Sequence, residues 1–362
     1  MKKIPWAIPD IGEDEFNEVK KLFDINWLSM GPQTAKFEEA MKAYVNRKYA
    51  LAVNNGTTAL DIAFKVLGIK PGDEIILPAM TYIATGSMVL NQGAVPVYAD
   101  IDRYTFTIMP EAIEKCITSK TKAVLTMDYG GNSCDYDIIE KICRKHGLYL
   151  IVDAAQSLGG YYKNKPLGSF GDIATMSFHS AKVMTTIEGG MIFTDNDNYA
   201  EKIMIMRNQG EDPREKYKHI MLGYNARLTD MQAAIGLAQF SKIKKYLTRR
   251  AEIAQKYIKA FSQTGKIQTI KIEKDNKMAW FLFPILVENR DEIDKKINEF
   301  GVDTRRCYHL PLYKHPMFSE YSDAYCENAE YISARVINLP IFPKLTDKNI
   351  DFIIEAVANA IK

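Results

Sequence analysis

Apolar and polar positions change their period along this chain. Near the N-terminus Phe16, Val19, Leu22 and Phe23 recur at helical spacing among charged residues, which predicts an amphipathic helix. From residue 50 onward, short apolar runs alternate with longer mixed ones. The runs "ALAV" (50–53), "PGDEIILP" (71–78, a turn and then a strand), "AVPVYAD" (94–100), "AVLTMD" (123–128) and "LYLIVDAA" (148–155) predict strands. Between them "TTALDIAFKVLG", stopped by Gly68, "YIATGSMVLNQG", "PEAIEKCI", opened by Pro110, and "DIIEKICRKHG" predict helices. Two more strand-like runs follow, "IATMSF" and "GMIFTD". Strands that alternate with helices and are apolar on both faces imply an α/β fold, its mostly parallel central sheet covered on both sides.

Past this alternation the character shifts. Residues 228–261 read as one long helical pattern. After it "KIQTIKI" and "AWFLFPILV" predict strands, and "RDEIDKKINEFG" and "DKNIDFIIEAVANAIK" predict helices. The expected division is a large domain over 1–244, including the N-terminal segment, and a smaller α+β domain over 245–362. The length of 362 residues suits two such units. No internal repeat or low-complexity tract interrupts them.

Composition narrows the function classes. Basic and acidic residues nearly balance, 47 against 45, and the densest basic cluster, "KIKKYLTRR" (242–250), reads as the polar face of a helix, so no nucleic-acid footprint is expected. The five cysteines, Cys116, Cys134, Cys143, Cys307 and Cys326, form no C-x-x-C pair and no metal-ligand spacing; reduced thiols and no metal site are expected. The opening "MKKIPWAIPDIGEDE" lacks the apolar run of a signal peptide, and no segment is long and apolar enough to span a bilayer. The expectation is a cytoplasmic protein with no membrane partner.

Four loops at predicted strand ends carry the chemistry. In "NNGTTAL" (54–60) a strand runs into a helix through Gly56, Thr57 and Thr58, which suits either an anion on exposed N–H groups or a plain helix cap with Thr as the capping residue. In "VDAAQS" (152–157) Asp153 ends an apolar strand, where it either turns the chain outward or faces a heterocyclic nitrogen and keeps it protonated; Gln156 follows within reach of a ring oxygen. Tyr82 of "AMTYIATG" is either a core aromatic or a stacking platform. The stretch "SFHSAKVMTTIEGG" (177–190) sets Ser177, His179 and Lys182 on the connection between two strands. A lysine among small and hydroxyl residues there is either a surface charge or an amine placed in a cleft. An anion site, a flat-ring platform, a carboxylate for a ring nitrogen and an amine for an aldehyde together describe pyridoxal 5′-phosphate (PLP). Asp153 precedes Lys182 by 29 residues, with the phosphate loop far upstream.

These segments, with "LGYNARLTDMQAAIGLAQ" and "DTRRCYHLPLYKHPMF", resemble the DegT/StrS-type sugar aminotransferases, PLP enzymes of fold type I, over essentially the whole chain. The resemblance implies that Lys182 forms the Schiff base with the cofactor, Asp153 pairs with the ring nitrogen, Gln156 meets the ring hydroxyl and Tyr82 stacks on the ring. It implies that Gly56, Thr57, Thr58 and Ser177 hold the phosphate, and that Asn225 reaches it from the partner subunit of a homodimer with shared active sites. His179 and His309 fall toward the sugar. The implied reaction moves an amino group from L-glutamate to a keto sugar, a nucleotide-linked 4-keto-6-deoxyhexose, as in polysaccharide biosynthesis. Other ketones (a 3-keto sugar, a cyclitol ketone, an eight-carbon sugar), a 3-dehydratase and a non-catalytic PLP-binding regulator are the alternatives. The chain departs from the family pattern at Ser180, where many members have proline, and at Ile187, where many have glycine. The "TTIEGG" form resembles the dehydratase branch, but that branch replaces the Schiff-base lysine with histidine, and Lys182 is present here.

Overall fold

The computed structural model describes residues 3–362; Met1 and Lys2, which begin the segment read as lacking a leader, lie outside them. Two helices, α1 (Glu13–Ile25) and α2 (Pro32–Val45), precede the alternating region. The second helix has no counterpart in the expected elements, although Phe37, Met41 and Val45 form its buried stripe. The alternation then runs β1 (Tyr49–Val53), α3 (Gly56–Val66), β2 (Glu74–Pro78), α4 (Ile83–Asn91), β3 (Val95–Ala99), α5 (Pro110–Cys116), β4 (Thr121–Met127), α6 (Tyr136–His146) and β5 (Tyr149–Asp153). A small ribbon, β6 (Tyr161–Tyr162) with β7 (Lys165–Pro166), leads to β8 (Ile173–Ser177) and β9 (Gly190–Thr194).

Seven strands form the central sheet in the order β1-β9-β8-β5-β4-β2-β3. The pairs from β8 to β3 are parallel, while β9 runs antiparallel to both β8 and β1. The α/β class and the mostly parallel sheet therefore stand as expected. The reversal of β9 has a consequence: it begins at the edge where β1, β5 and β8 end. The β8–β9 connection, which carries Lys182, thus stays at that edge.

The helical stretch after β9 differs from the expectation. Helix α7 (Asp197–Arg207) buries Ala200, Ile203, Ile205 and Met206, which do not share one stripe, so periodicity gave no signal for it. The pattern over 228–261 is two helices, α8 (Asp230–Ser241) and α9 (Ile243–Phe261). They break at Lys242, where no glycine or proline marks the sequence; its amine pairs with the buried Glu15 of α1, and that long-range ion pair accompanies the bend. The basic cluster around it is only partly a solvated face, since Tyr246 and Arg250 are buried.

The C-terminal part holds an antiparallel sheet of β10 (Gln268–Thr269), β11 (Phe283–Leu286) and β12 (Val336–Leu339) with α10 (Arg290–Glu299), α11 (Glu327–Ser333) and α12 (Asp347–Ala360). "KIQTIKI" contributes only two strand residues, because Lys271 gives its N–H to the Tyr104 carbonyl at 2.8 Å instead of to a strand. Likewise Ala279 and Phe281 donate to Gly131 and Gly130, which ties this segment to the loop after β4. All five cysteines are free, and no helix among the described residues is long and apolar enough to cross a membrane.

Candidate active site

A cavity of about 720 Å³ opens at the strand edge just described. Its wall includes Gly56, Thr57 and Thr58 after β1, Tyr82 before α4, Asp153 and Ala155 at the end of β5, and Ser177, His179 and Lys182 after β8. Strand ends in such sheets are where ligands bind, because loops there diverge and leave a crevice.

The anion end is shaped by close packing of backbone. A methyl on Gly56 would lie 2.9 Å from the Ser177 Cβ, and one on Gly190 would lie 2.4 Å from the Asn55 carbonyl oxygen. Only glycine at both positions lets the start of α3 press against the β8 and β9 ends. The helix cap is Asn55, not a threonine: its Oδ1 accepts from the Thr58 N–H at 2.8 Å. The first-turn N–H groups of Gly56 and Thr57 have no intrahelical acceptor. Beside them stand the hydroxyls of Thr57, Thr58 and Ser177 in the cavity wall, a donor set that fits a phosphate at a helix N-terminus.

Asp153 is 3% exposed. Its Oδ2 accepts from the Thr85 hydroxyl at 2.8 Å and its Oδ1 from the Ala155 N–H at 3.1 Å; Thr81 in turn donates to Thr85 at 3.0 Å. Burial pushes this carboxyl above its usual range, against the pull of Thr85, Ala155 and the Lys182 charge. It therefore wants a cation or a proton on its open side. Lys182 answers from across the cavity without forming an ion pair. Its amine, 4.5 Å from the Phe281 ring centroid, is pulled down to about 8 by burial, with Asp153 and Cys307 opposing. Among the described residues it makes no hydrogen bond, so the amine is unengaged inside a cleft rather than tied as a structural ion.

The other expected residues divide. Tyr82 is 52% exposed and lines the cavity, its ring 6.1 Å from that of Tyr308. His179 is in the wall beside Glu188, 3.7 Å away. Gln156 sits behind the wall: Oε1 accepts from the Gly130 N–H at 2.7 Å, and Nε2 donates to the Tyr308 hydroxyl at 2.8 Å. Asn225 and His309 are exposed and do not line the cavity of this chain. Asn225 bridges Asn208, and His309 lies near Arg290, His315 and Arg306, where burial and those neighbours push its imidazole down.

Several contributors had escaped sequence reasoning. Asn55 is legible in hindsight as the cap residue of "NNGTT". Thr85 and Thr81 carry no local mark, since a threonine in a helix or turn has many uses. Trp6, Phe281, Cys307 and Tyr308 come from remote segments that only the fold brings to the cavity.

A donor-rich helix start, a buried carboxylate lacking a cation, a free amine of lowered basicity and an aromatic wall all fit PLP. The comparisons agree. GDP-perosamine synthase of Caulobacter vibrioides is 35% identical to this chain, over 99% of it and 98% of that protein. The PseC aminotransferase of Helicobacter pylori, involved in the biosynthesis of pseudaminic acid, superposes with a TM-score of 0.95 at 28% identity, covering 99% of each chain. The putative sugar aminotransferase Spr1654 of Streptococcus pneumoniae in its PLP form gives a TM-score of 0.94 at 28% identity, over 99% of this chain and 100% of that one. The fold is that of the type I PLP aminotransferases, and PLP is the cofactor. With residues 9–358 matching its family description, the chain belongs to the DegT/DnrJ/EryC1/StrS aminotransferase family.

Proposed function

We propose that the enzyme transfers the amino group of L-glutamate to a nucleotide-linked 4-keto-6-deoxyhexose. The observation that carries the reading is the unengaged Lys182 amine facing a buried Asp153 across one cavity. PLP, when bound, supplies the aldehyde that takes up the amino group and a ring that stores the electron pair released at the substrate carbon.

The protein's own groups do the rest. Lys182 Nζ would hold the cofactor and, with its amine free, would move the proton at the substrate carbon that bears the amino group. Its lowered basicity leaves a larger neutral fraction at pH 7 than a surface lysine has. Asp153 keeps the ring nitrogen protonated, and Thr85 and Ala155 keep Asp153 ionised and fixed in direction. Gly56, Thr57, Thr58 and Ser177 bind the phosphate, and Tyr82 covers the ring. Gln156 orients the Tyr308 hydroxyl and retains a second Nε2 N–H for the ring oxygen. His179 and His309 belong to the sugar side.

The active unit is a homodimer in which Asn225 serves the partner's cavity. Large apolar side chains left exposed support this: Leu222, three residues before Asn225, is 93% exposed and Tyr217 78%, and Phe16, Phe23, Ile25 and Trp27 are exposed as well. The break between α8 and α9 at Lys242, two residues before the proposed boundary, is what supports a division near 1–244 and 245–362, with α9 going to the second part. A cytoplasmic site of action fits five free thiols.

The GDP-perosamine synthase relatives favour the 4-keto acceptor within the broader sugar aminotransferase family. The test is the visible spectrum of PLP-loaded protein with L-glutamate, followed by a panel of keto-sugar nucleotides with product masses. Bleaching by glutamate and recovery with a 4-keto-6-deoxyhexose nucleotide is expected. A spectrum indifferent to glutamate overturns the donor, and recovery only with another ketone overturns the acceptor.

A further inference from the structure

The N-terminal segment contributes a wall of the cavity through one residue. Ile4 is fixed to the C-terminal part of the chain: its N–H donates to the Gly301 carbonyl at 2.8 Å, and its carbonyl accepts from the Asp303 N–H at 2.9 Å. Six residues on, the Asp10 carbonyl accepts from Gln239 Nε2 at 2.7 Å and from the Tyr246 hydroxyl at 3.1 Å, while its carboxylate meets Lys344 at 3.0 Å. The span between these anchors contains Pro5 and Pro9, whose fixed φ stiffens it. Trp6 is therefore held in place from both ends.

Its surroundings give its orientation a purpose. The indole meets Phe281 edge-on, with centroids 6.3 Å apart and planes at 84°. The Arg305 guanidinium lies 5.6 Å from the indole ring. Phe281 in turn is the ring beside the Lys182 amine. Trp6 thus extends the aromatic wall that begins with Phe281 beside Lys182. Its Nε1–H is buried with no acceptor among the described residues. A phenylalanine would fill space there without leaving a donor unpaired, and such a donor costs about 1–3 kcal/mol. Packing alone does not account for an indole at this position.

We propose that Trp6 is a specificity-determining residue whose indole face on the side opposite the Arg305 guanidinium receives the hexose ring of the amino acceptor, stacking on its axial C–H bonds. The assignment rests on the sugar-acceptor reading above. In this proposal the indole contacts only the hexose, which glutamate lacks, so the two half-reactions separate the role from a structural one.

The experiment uses PLP-loaded wild type, Trp6→Ala and Trp6→Phe with matched thermal melts. The donor half-reaction is followed by loss of the visible band with L-glutamate. The acceptor half-reaction is followed by its return with a GDP-linked 4-keto-6-deoxyhexose, with the concentration dependence giving the apparent affinity. Trp6→Ala is expected to weaken the acceptor about tenfold or more while the donor rate stays within about twofold, and Trp6→Phe, with a smaller ring face, to recover only part of the loss. Parallel losses in both half-reactions, or none in either, overturn the stacking role while leaving the enzyme's reaction intact. A wild type that bleaches with glutamate but recovers with no keto-sugar nucleotide overturns the acceptor reading and the stacking with it.

Discussion

Replacing Thr85 with valine removes one hydroxyl and almost no volume, which isolates a single interaction. Thr85 is fully buried, and its hydroxyl donates to Asp153 Oδ2 at 2.8 Å. A hydrogen bond to a buried charged group contributes about 1.5–3 kcal/mol. The variant also strands the Thr81 hydroxyl, whose partner at 3.0 Å is Thr85 itself. The apoenzyme should therefore lose about 2–4 kcal/mol at pH 7 by these hydrogen-bond magnitudes. Burial already holds the Asp153 carboxyl above its usual range, and the substitution raises it further. A carboxyl raised on folding binds protons more tightly in the native state, so stability falls as pH rises from the ordinary carboxylate range to the raised value. The loss from Thr85→Val is thus greatest at neutral pH and shrinks on acidification, where Asp153 is neutral in both proteins. With Asp153 in its proposed role as partner of the ring nitrogen, a more easily protonated carboxyl should hold that nitrogen less well and move the acid limb of kcat to higher pH. Urea unfolding of both apoproteins from pH 5 to pH 8 measures the first effect, and a pH–rate profile the second. A Thr85→Val protein as stable as wild type at pH 7, or a difference that does not change with pH, would refute this account of how Asp153 is kept ionised.

Lys182→Met should abolish turnover while making the apoprotein more stable at pH 7. The amine is pulled from its ordinary value of 10.5 to about 8, so below pH 8 its charge opposes folding by up to about 3 kcal/mol. That penalty fades as pH rises from 8 to 10.5, and unfolding curves at pH 7 and pH 10 that show the same difference would contradict it. Gly190→Ala drives a methyl to 2.4 Å from the Asn55 carbonyl, and overpacking of this kind costs about 1–3 kcal/mol. PLP affinity should fall with it, as a fluorescence titration would read, because the same contact seats the Gly56–Thr58 loop proposed to hold the phosphate. Ile187 has φ +74°, a left-handed conformation that a β-branched side chain resists, and it is 51% exposed. Ile187→Gly should therefore leave stability unchanged or raise it by up to about 1 kcal/mol, since relief of strain offsets the entropy of glycine; a lowered melting temperature would count against the strain.

The sequence by itself determined the strand–helix alternation, the mostly parallel sheet and a set of candidate groups at strand ends. These depend on local rules: apolar runs too short for helices, Gly and Pro at the stops, and polar residues concentrated where strands end. Lys182, Asp153 and Gly56 could be named because each stands at such an end, and the cavity brings them together. Tertiary structure alone decided the rest. The bend at Lys242 accompanies an ion pair to Glu15, a residue more than two hundred positions away, so no local period records it. The cap at Asn55 depends on which residue leaves β1 first, a boundary that composition blurs. The partners of Gln156 could not be read from its spacing either, since the Gly130 N–H on its Oε1 comes from the loop after β4 and the Tyr308 hydroxyl on its Nε2 from a segment 152 residues on. Trp6, Phe281 and Tyr308 reach Lys182 because backbone bonds at Ile4, Phe281 and Asn338 hold distant segments against one edge of the sheet. A side chain's chemistry belongs to its residue type; its neighbours belong to contacts that close only when the whole chain has folded.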